Sequence, residues 1–477
     1  MKSFNPSSDF FLCYKSIPTI RELTGLISRL SFFQMPTRFR QYWQQLQESL
    51  WFVPGLMVLG SFVLAYGLIE FDAHTSWHGE KRFPLLFASG ADGARGMLSA
   101  ISGSMLTVAA LAFSLTLSTI SQVSSQYSPR VLRNFMRDRV NQVVMGYFVG
   151  VFAYCLIVLG TIRGTDEVKF VPSTAVLAGL LLALGGVAAL IFFIHHIAES
   201  LQTGTIVQHI FHETGKATAE LFPDQFGEPI DDPKKAKAAL EYTDGQTGWH
   251  PVNTSQAGYL QLINTNGLLN WATKNRVVLR VEKEMGAFVG EGTVLFSVRS
   301  GMERPDPEEA DWPADLMDYV SIGRHRNVEQ DVAFGIQQLV DIALKALSPG
   351  INDTTTAIMA VDYLGAVSEQ LAQREFPARL RSDGKHLRVL VRSMDFDDYI
   401  RLAFDLPRIN AKGNHAVLRR LLRALALVNE AVCSDDRKPI LKQQAELLMD
   451  YADQTLNTNY EKYQVRDLYK KLMETWS

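Results

Sequence analysis

Ser104, Thr107, Leu111, Ser114, Ser118, Ser121, Gln122 and Ser125 gather on one face of a helix when each position advances by 100°. All but Leu111 are uncharged hydrogen-bonding side chains. The opposite face carries Met105, Leu106, Ala109, Ala112, Phe113, Ile120 and Val123. Such a hydroxyl face can do two things. It can line a water-filled path, with Leu111 as an apolar constriction that gates by dewetting. It can also let helices approach closely and hydrogen-bond across an interface, at ~0.6 kcal/mol per bond. The surrounding apolar stretches hold no carboxylate, Lys or Arg, which a proton-coupled pump or carrier needs.

Histidines form the second candidate group. His195 and His196 end an apolar run, and His209 and His212 follow one turn apart on a polar helix. A shared metal or a pH-sensing role fits these residue types. Interfacial histidines on a helix leaving a membrane fit them equally.

The elements that must position these residues are long and apolar. Four charge-free stretches run from Ser49 to Ile69, Gly96 to Pro129, Val140 to Ile162 and Phe170 to Ile194. Each is long enough to cross ~30 Å of hydrocarbon as a helix. The spans are placed at about 50–69, 97–122, 142–162 and 171–194. The second stretch would reach roughly 50 Å if wholly helical and so overshoots a bilayer. The first is not a signal peptide, because it begins far from the start and lacks a small-residue cleavage pattern. Residues 1–48 read as a polar N-terminal segment, with Met35 as an alternative start.

Arg38 and Arg40 precede span one, and Arg130, Arg133, Arg137 and Arg139 separate spans two and three. The other loops hold fewer basic residues, namely Lys81, Arg82 and Arg95 in one and Arg163 and Lys169 in the other. This bias predicts that both termini and everything after His195 face the cytoplasm. Trp51 and Trp77 sit where interfacial aromatics are expected. Gly146-x-x-x-Gly150, and Ala175, Gly179 and Ala183, are small-residue ridges suited to close packing within or between subunits.

The chain of 477 residues carries 47 Lys+Arg against 50 Asp+Glu, so no basic domain suggests a nucleic-acid partner. Cys13, Cys155 and Cys433 lie too far apart for a disulfide framework or a metal knuckle. The polar second part divides into residues 201–300, a linker helix and β-rich module, and residues 301–477, a helical domain. A surface segment, 227–248, includes a short helical piece from Lys234 to Tyr242. Strands are predicted at Gly258–Ile263, Arg276–Val281 and Val294–Val298. The glycine-punctuated turn from Gly286 to Gly292 suggests half of a small barrel of the biotinyl or lipoyl type. No lysine follows it in an attachment context, and no phosphate-binding loop occurs anywhere in the chain.

Helices are predicted from Val328 to Ala346 and from Thr354 to Ala372, with more near 399–404, 416–433, 440–450 and 463–476. The first of these stops at Ser348, Pro349 and Gly350, and Asn352 and Asp353 restart the next, with Asp353 as its N-cap. The pair is helix–turn–helix in shape. Its second helix opens on Thr354, Thr355, Thr356 and Ala357 with no basic residue, which excludes the DNA-binding version. No H-E-x-x-H, G-x-S-x-G, C-x-x-C or dinucleotide fingerprint is present. Asp331, Asp341, Asp353, Arg324 and His325 could form a polar site or simply cap helices and pair charges.

Several phrases carry a resemblance. They are Ser102-Gly103-Ser104-Met105, Phe113-Ser114 and Ser125-Gln126-Tyr127-Ser128-Pro129-Arg130, then Phe193-Ile194-His195-His196-Ile197-Ala198. The stretches Phe334 to Ala343 and Ala346 to Asp353 complete the set. Over residues 40–430 the chain resembles the bacterial membrane-protein family catalogued as domain of unknown function 2254. The family pattern has Pro where this chain has Thr354, and often Arg where it has Gln337. The resemblance implies a bacterial inner-membrane protein with a cytoplasmic domain, and it implies no activity.

The expected fold class is an α-helical membrane domain of four transmembrane helices (residues 49–200) plus a cytoplasmic α+β domain. The expected function is a homo-oligomeric passive channel or channel-like protein in the bacterial inner membrane, with no cofactor and no catalytic centre. Its partners would be the lipid bilayer, copies of itself and ions, with no nucleic acid. The rival reading is a membrane-anchored scaffold or sensor whose cytoplasmic domain binds a protein or small ligand. A weaker third reading is a membrane enzyme using the histidines near 195–212.

Overall fold

The structure is a computed structural model that describes residues 49, 51–74, 90–126, 130, 138–165, 168–222, 228–229, 248–300 and 316–476. Residues 1–48, the loop with Trp77, Lys81 and Arg82, the pair Arg133 and Arg137, and the 234–242 piece lie outside the described residues.

Four helices are long and apolar enough to cross a membrane. They are α1 (Phe52–His74), α2 (Gly90–Gln126), α3 (Arg139–Thr161) and α4 (Ser173–Ser200). Helix α2 runs 37 residues without a break, roughly 55 Å at 1.5 Å per residue. It therefore has a membrane part and a part beyond the bilayer. Asp138 caps α3 by accepting a hydrogen bond from the Val140 N–H at 2.9 Å. Helix α4 starts after Pro172, and a different helix caps it. The Asp72 carboxylate, from the end of α1, accepts from Thr174 N at 3.0 Å and Ala175 N at 3.1 Å. Near that same end Arg95 donates to the Ile162 carbonyl at 2.9 Å. A short hairpin, β1 (Arg163–Thr165) and β2 (Val168–Phe170), joins α3 to α4 there.

The small-residue ridges work inside the subunit. A Cβ on Gly146 would lie 2.9 Å from the Pro54 Cα, so α1 crosses α3 at this glycine. Gly150 faces the Met57 carbonyl, Gly179 faces Leu98, and Gly186 faces Met105. Ala175 is fully buried, and its carbonyl accepts from the Tyr154 hydroxyl at 2.7 Å. Leu98, Phe148, Tyr154 and Phe193 fill the centre of this bundle.

Beyond Gln202 the chain is polar. It forms α5 (Thr203–Leu221), β3 (Glu228–Pro229), β4 (His250–Asn253), β5 (Gly258–Ile263), α6 (Thr265–Asn275), β6 (Val277–Val281), β7 (Phe288–Val289), β8 (Val294–Ser300) and β9 (Val320–Gly323). There follow α7 (Val332–Leu347), α8 (Thr354–Ala372), β10 (Leu380–Ser382), β11 (Leu387–Leu390), α9 (Phe396–Asn410), α10 (His415–Glu430), α11 (Lys438–Thr455) and α12 (Asn459–Trp476). The strands make two sheets, ordered β3-β10-β11-β6-β8-β4 and β7-β5-β9. The larger sheet is open, with β3 and β4 at its edges, where half of a barrel was expected. It also reaches past residue 300, because β11 pairs in parallel with β6.

The helices of this half begin on side-chain caps. Asp331, Asp353, Asp395 and Asn414 each accept a hydrogen bond from a backbone N–H three residues on. Gly365 lets α8 approach α10 closely, since a Cβ there would lie 2.9 Å from that of Ala424. One described residue of α2 crosses between the two cores: Val123 is fully buried in the C-terminal helical cluster with Ile206, Val207 and Ile210.

Candidate functional site

The hydroxyl face of α2 points out of the subunit. Ser104, Thr107, Leu111, Ser114, Ser118, Ser121 and Gln122 are all exposed. Ser125 lies in the helix, and its side chain is outside the described residues. The inward side holds Leu98, Ser102, Met105, Ala109, Ala112, Thr116 and Thr119. The expected apolar face is therefore divided: Met105, Ala109, Ala112 and Val123 are buried, Ile120 is half-buried, and Leu106 and Phe113 are exposed. Ser104 and Thr107 donate to the carbonyls of Ala100 and Gly103 at 2.8 and 2.9 Å. Such back-bonding satisfies a hydroxyl hydrogen within its own helix and leaves lone pairs for water or a neighbour.

The other outward faces differ in kind. Helix α1 exposes Leu59, Phe62, Val63 and Phe71, and α4 exposes Leu181, Leu184, Val187 and Ile191. These are side chains that hydrocarbon accepts at no cost.

The segment after α2 is tied to the C-terminal half. Arg130 makes an ion pair with Asp341 of α7 at 2.5 Å, and its carbonyl accepts from Gln338 at 3.1 Å. Gln337 donates to the same Asp341 at 2.9 Å. His196 Nε2 lies 2.6 Å from Asp138 Oδ2, which joins the end of α4 to the start of α3. The Ser348–Asp353 turn is exposed except for half-buried Ser348. Asn352 takes φ 49°, a left-handed conformation that Asn tolerates. The Asp353 carboxylate is held below its usual range by the Thr356 hydroxyl and backbone N–H. Thr354 accepts from Asn414 at 2.8 Å.

The family profile described as "Predicted membrane protein (DUF2254)" matches residues 47–427. The chain belongs to the DUF2254 family. An uncharacterized protein of Mycobacterium tuberculosis (strain CDC 1551 / Oshkosh) is 30% identical over 463 residues, covering 94% of this chain and 86% of that one. An uncharacterized protein of Mycobacterium bovis (strain ATCC BAA-935 / AF2122/97) matches to the same extent. No solved structure matches the chain.

In this DUF2254 chain the four candidate histidines are not brought together. His195, His209 and His212 are exposed and His196 is half-buried. Among the described residues no group of three or more His, Cys, Asp or Glu is placed to hold a metal. His209 pairs with Glu213 at 3.4 Å, and that hydrogen bond raises its pKa against the opposing pull of burial. The acidic candidates also disperse. Asp331 and Asp353 cap helices, Asp341 holds Arg130, and the His325 carbonyl accepts from Gln261.

A site that sequence reasoning missed lies between the sheets and the helices. A cavity of about 160 Å³ is walled by Phe222, Glu284, Asp331, Arg381, Arg392 and Tyr399, among others. Arg326 clamps Asp331 with two hydrogen bonds of 2.8 and 2.9 Å, and Phe334 N–H adds a third. Burial still keeps the Asp331 pKa above its ordinary value. The glycine turn closes this corner: Gly286 has φ 79°, and a Cβ there would fall 2.0 Å from the Asp331 carboxylate. No motif announces the cavity, because its walls come from segments between residues 221 and 399 that meet only in the fold.

Proposed function

We propose that this protein is a homo-oligomeric, passive channel or channel-like protein whose α2 helices line the path. One observation carries the reading: beside exposed Leu106, Phe113 and Leu117, one stripe of the outward surface of α2 bears hydroxyls and an amide, whereas the outward surfaces of α1 and α4 bear chiefly large apolar side chains. An uncharged polar stripe gains nothing from lipid. Facing copies of itself, it gains hydrogen bonds and water. A single four-helix subunit buries its own interior with Leu98, Phe148 and Phe193, so a path needs α2 from several copies. Leu111, 51% exposed in the middle of the stripe, is the constriction. The bilayer is the bacterial inner membrane, with both termini cytoplasmic. Arg130 and Arg139 flank the membrane at the same end as the soluble half, which is the pattern of the positive-inside rule. The soluble half assembles the subunits and carries no catalytic step.

Liposome flux of small ions separates this from dry helix packing. Leu111→Ser raises the flux of reconstituted protein. Met105→Ser, which removes a buried contact to Gly186, lowers stability without raising flux. Silence from both wild type and Leu111→Ser, in protein shown to be folded and oligomeric, contradicts the channel. A second reading, a membrane-anchored sensor, is favoured by the cavity in the C-terminal half. It gains ground if the protein is a monodisperse monomer in mild detergent.

A further inference from the structure

We propose that the turn between α7 and α8 docks on the surface of the lipid bilayer and sets Ile351 into its interface. Position comes first. Helix α5 starts at Thr203, directly after α4 ends at Ser200. Helix α8 runs beside α5 in the same direction. The Phe211 and Tyr363 rings stand 5.3 Å apart, and further along a Cβ on Gly215 would lie 2.9 Å from the Gln370 amide oxygen. Thr354 precedes Tyr363 by about the same length of helix as Thr203 precedes Phe211. The α7–α8 turn therefore lies level with the point where the chain leaves its last span. Two further turns share this end. Asn414, before α10, donates to Thr354 at 2.8 Å, and His415 pairs with Glu461 of α12 at 3.6 Å. The connections at 348–353, 411–414 and 456–458 are thus gathered together.

Composition comes second. This end exposes Ile351, Ile409, Tyr460 and Tyr463. The connections at the opposite end of the same helices, 373–395 and 431–437, expose no large apolar side chain among the described residues. They show Gln373, Glu375, Arg379, Ser434 and Asp436 instead. Exposed apolar side chains gathered at one end mark a contact surface, and the turn's place beside the span exit makes lipid the partner. Tyrosine suits the headgroup level, where its ring leaves water and its hydroxyl stays wet. Pro349 and Gly350 stop α7, and Asn352 at φ 49° turns the chain into α8. Ile351 is left outside both helices with 44% of its surface exposed. Lys345, in the last turn of α7, and Lys412, between α9 and α10, are exposed and reach lipid phosphates on flexible stems. The turn's one carboxylate, Asp353, is engaged by its own helix. It accepts from the Thr356 hydroxyl at 2.6 Å and N–H at 3.0 Å.

The test uses the full chain in vesicles of phosphatidylcholine and phosphatidylglycerol, with and without brominated acyl chains. A bimane label is attached to a single thiol. One protein carries Ile351→Cys with Cys13, Cys155 and Cys433 replaced. The other keeps only Cys433, which is exposed at the opposite end, where its N–H meets the Ala372 carbonyl. Brominated lipid is expected to quench the label at position 351 at least about threefold more than the label on Cys433, because an interfacial group enters the boundary between headgroups and chains. Aqueous iodide should give the reverse order. Tyr460→Cys, on α12, is a second reporter with the same expectation should Ile351→Cys fail to fold. Equal quenching by brominated lipid at position 351 and at Cys433 overturns the proposal. Protection of position 351 from both quenchers means that a second copy or another protein covers this end, and it overturns the proposal as well. Neither readout depends on ion flux or on which side of the membrane the C-terminal half lies, so this contact and the channel reading fail separately.

Discussion

The outward surfaces of α2 and α4 are both exposed in the subunit, yet their chemistry differs. Helix α4 shows Leu181, Leu184, Val187 and Ile191, while α2 shows Ser114, Ser118, Ser121 and Gln122 around Leu111. Each helix has also met its needs inside the bundle. Gly179 and Gly186 of α4 receive Leu98 and Met105 of α2. The outward faces are therefore free to be chosen by what lies outside. On the proposed reading lipid covers the α4 face, while copies of the chain cover the hydroxyl stripe that runs beside Leu106, Phe113 and Leu117 on α2. Exposure alone thus says little about a membrane helix, whereas the chemistry of the exposed stripe says what covers it.

Exchanging the character of the two faces should break the comparison most strongly. The double substitution Ser114→Leu with Ser118→Leu is expected to dissociate the assembly in mild detergent. Leu184→Ser with Ile191→Ser on α4 should leave the subunit count unchanged, as read by mass from light scattering. If the α2 stripe faced lipid, the first pair would be neutral or stabilising and the account would fail. A smaller effect should come from the buried ridge. Gly146→Leu forces α1 away from α3 at Pro54 and Met57, costing about 1–3 kcal/mol of subunit stability. Its signature is lower thermal stability before any change in subunit number, which separates tertiary from quaternary packing.

The smallest expected effect lies wholly in the C-terminal half and should spare both faces. Burial pushes the Asp383 carboxyl up, but backbone N–H groups of His386 and Lys385 and the Arg388 guanidinium outweigh it and hold its pKa at about 2. A carboxyl with a lowered folded-state pKa contributes stability above its unfolded value of about 4 and loses it as pH falls toward 2. Asp383→Asn should cost ~1–2 kcal/mol at neutral pH. That cost should shrink between about pH 4 and pH 2, with the oligomer unchanged at neutral pH.

The sequence was most legible where one period or one cap decided the structure. Four spans stood out by hydropathy alone, and the Asp353 cap set the start of α8 at Thr354. Helix α6 was missed because it is short and ends on Arg276 at φ 54°, where a glycine would have signalled the stop. Strands β10 and β11 were missed because three or four residues show no clear alternation, and the second borrows its order from β6. On the α2 wheel every described member of the polar stripe is exposed. The apolar face is divided between burial and exposure. A wheel reports chemistry, and Leu106 and Phe113 are as apolar as Met105 while pointing away from the bundle. The cavity was invisible for a different reason: Phe222, Asp331, Arg381 and Tyr399 have no common spacing.

The central claim is that the α2 stripe meets water across copies of the chain. Thiol labelling tests it directly, in liposomes, with Cys13, Cys155 and Cys433 first replaced. Single cysteines are placed at Ser118 on the α2 stripe and at Ile191 on the α4 face, and a small charged aqueous reagent is added from the soluble-domain side. Ser118 lies between Leu111 and the foot of α2, so the constriction does not shield it from that side. The account predicts modification at Ser118→Cys roughly tenfold faster or more than at Ile191→Cys, as expected for a wetted wall against a lipid-facing one. Equal, slow modification at both positions in oligomeric protein would contradict it.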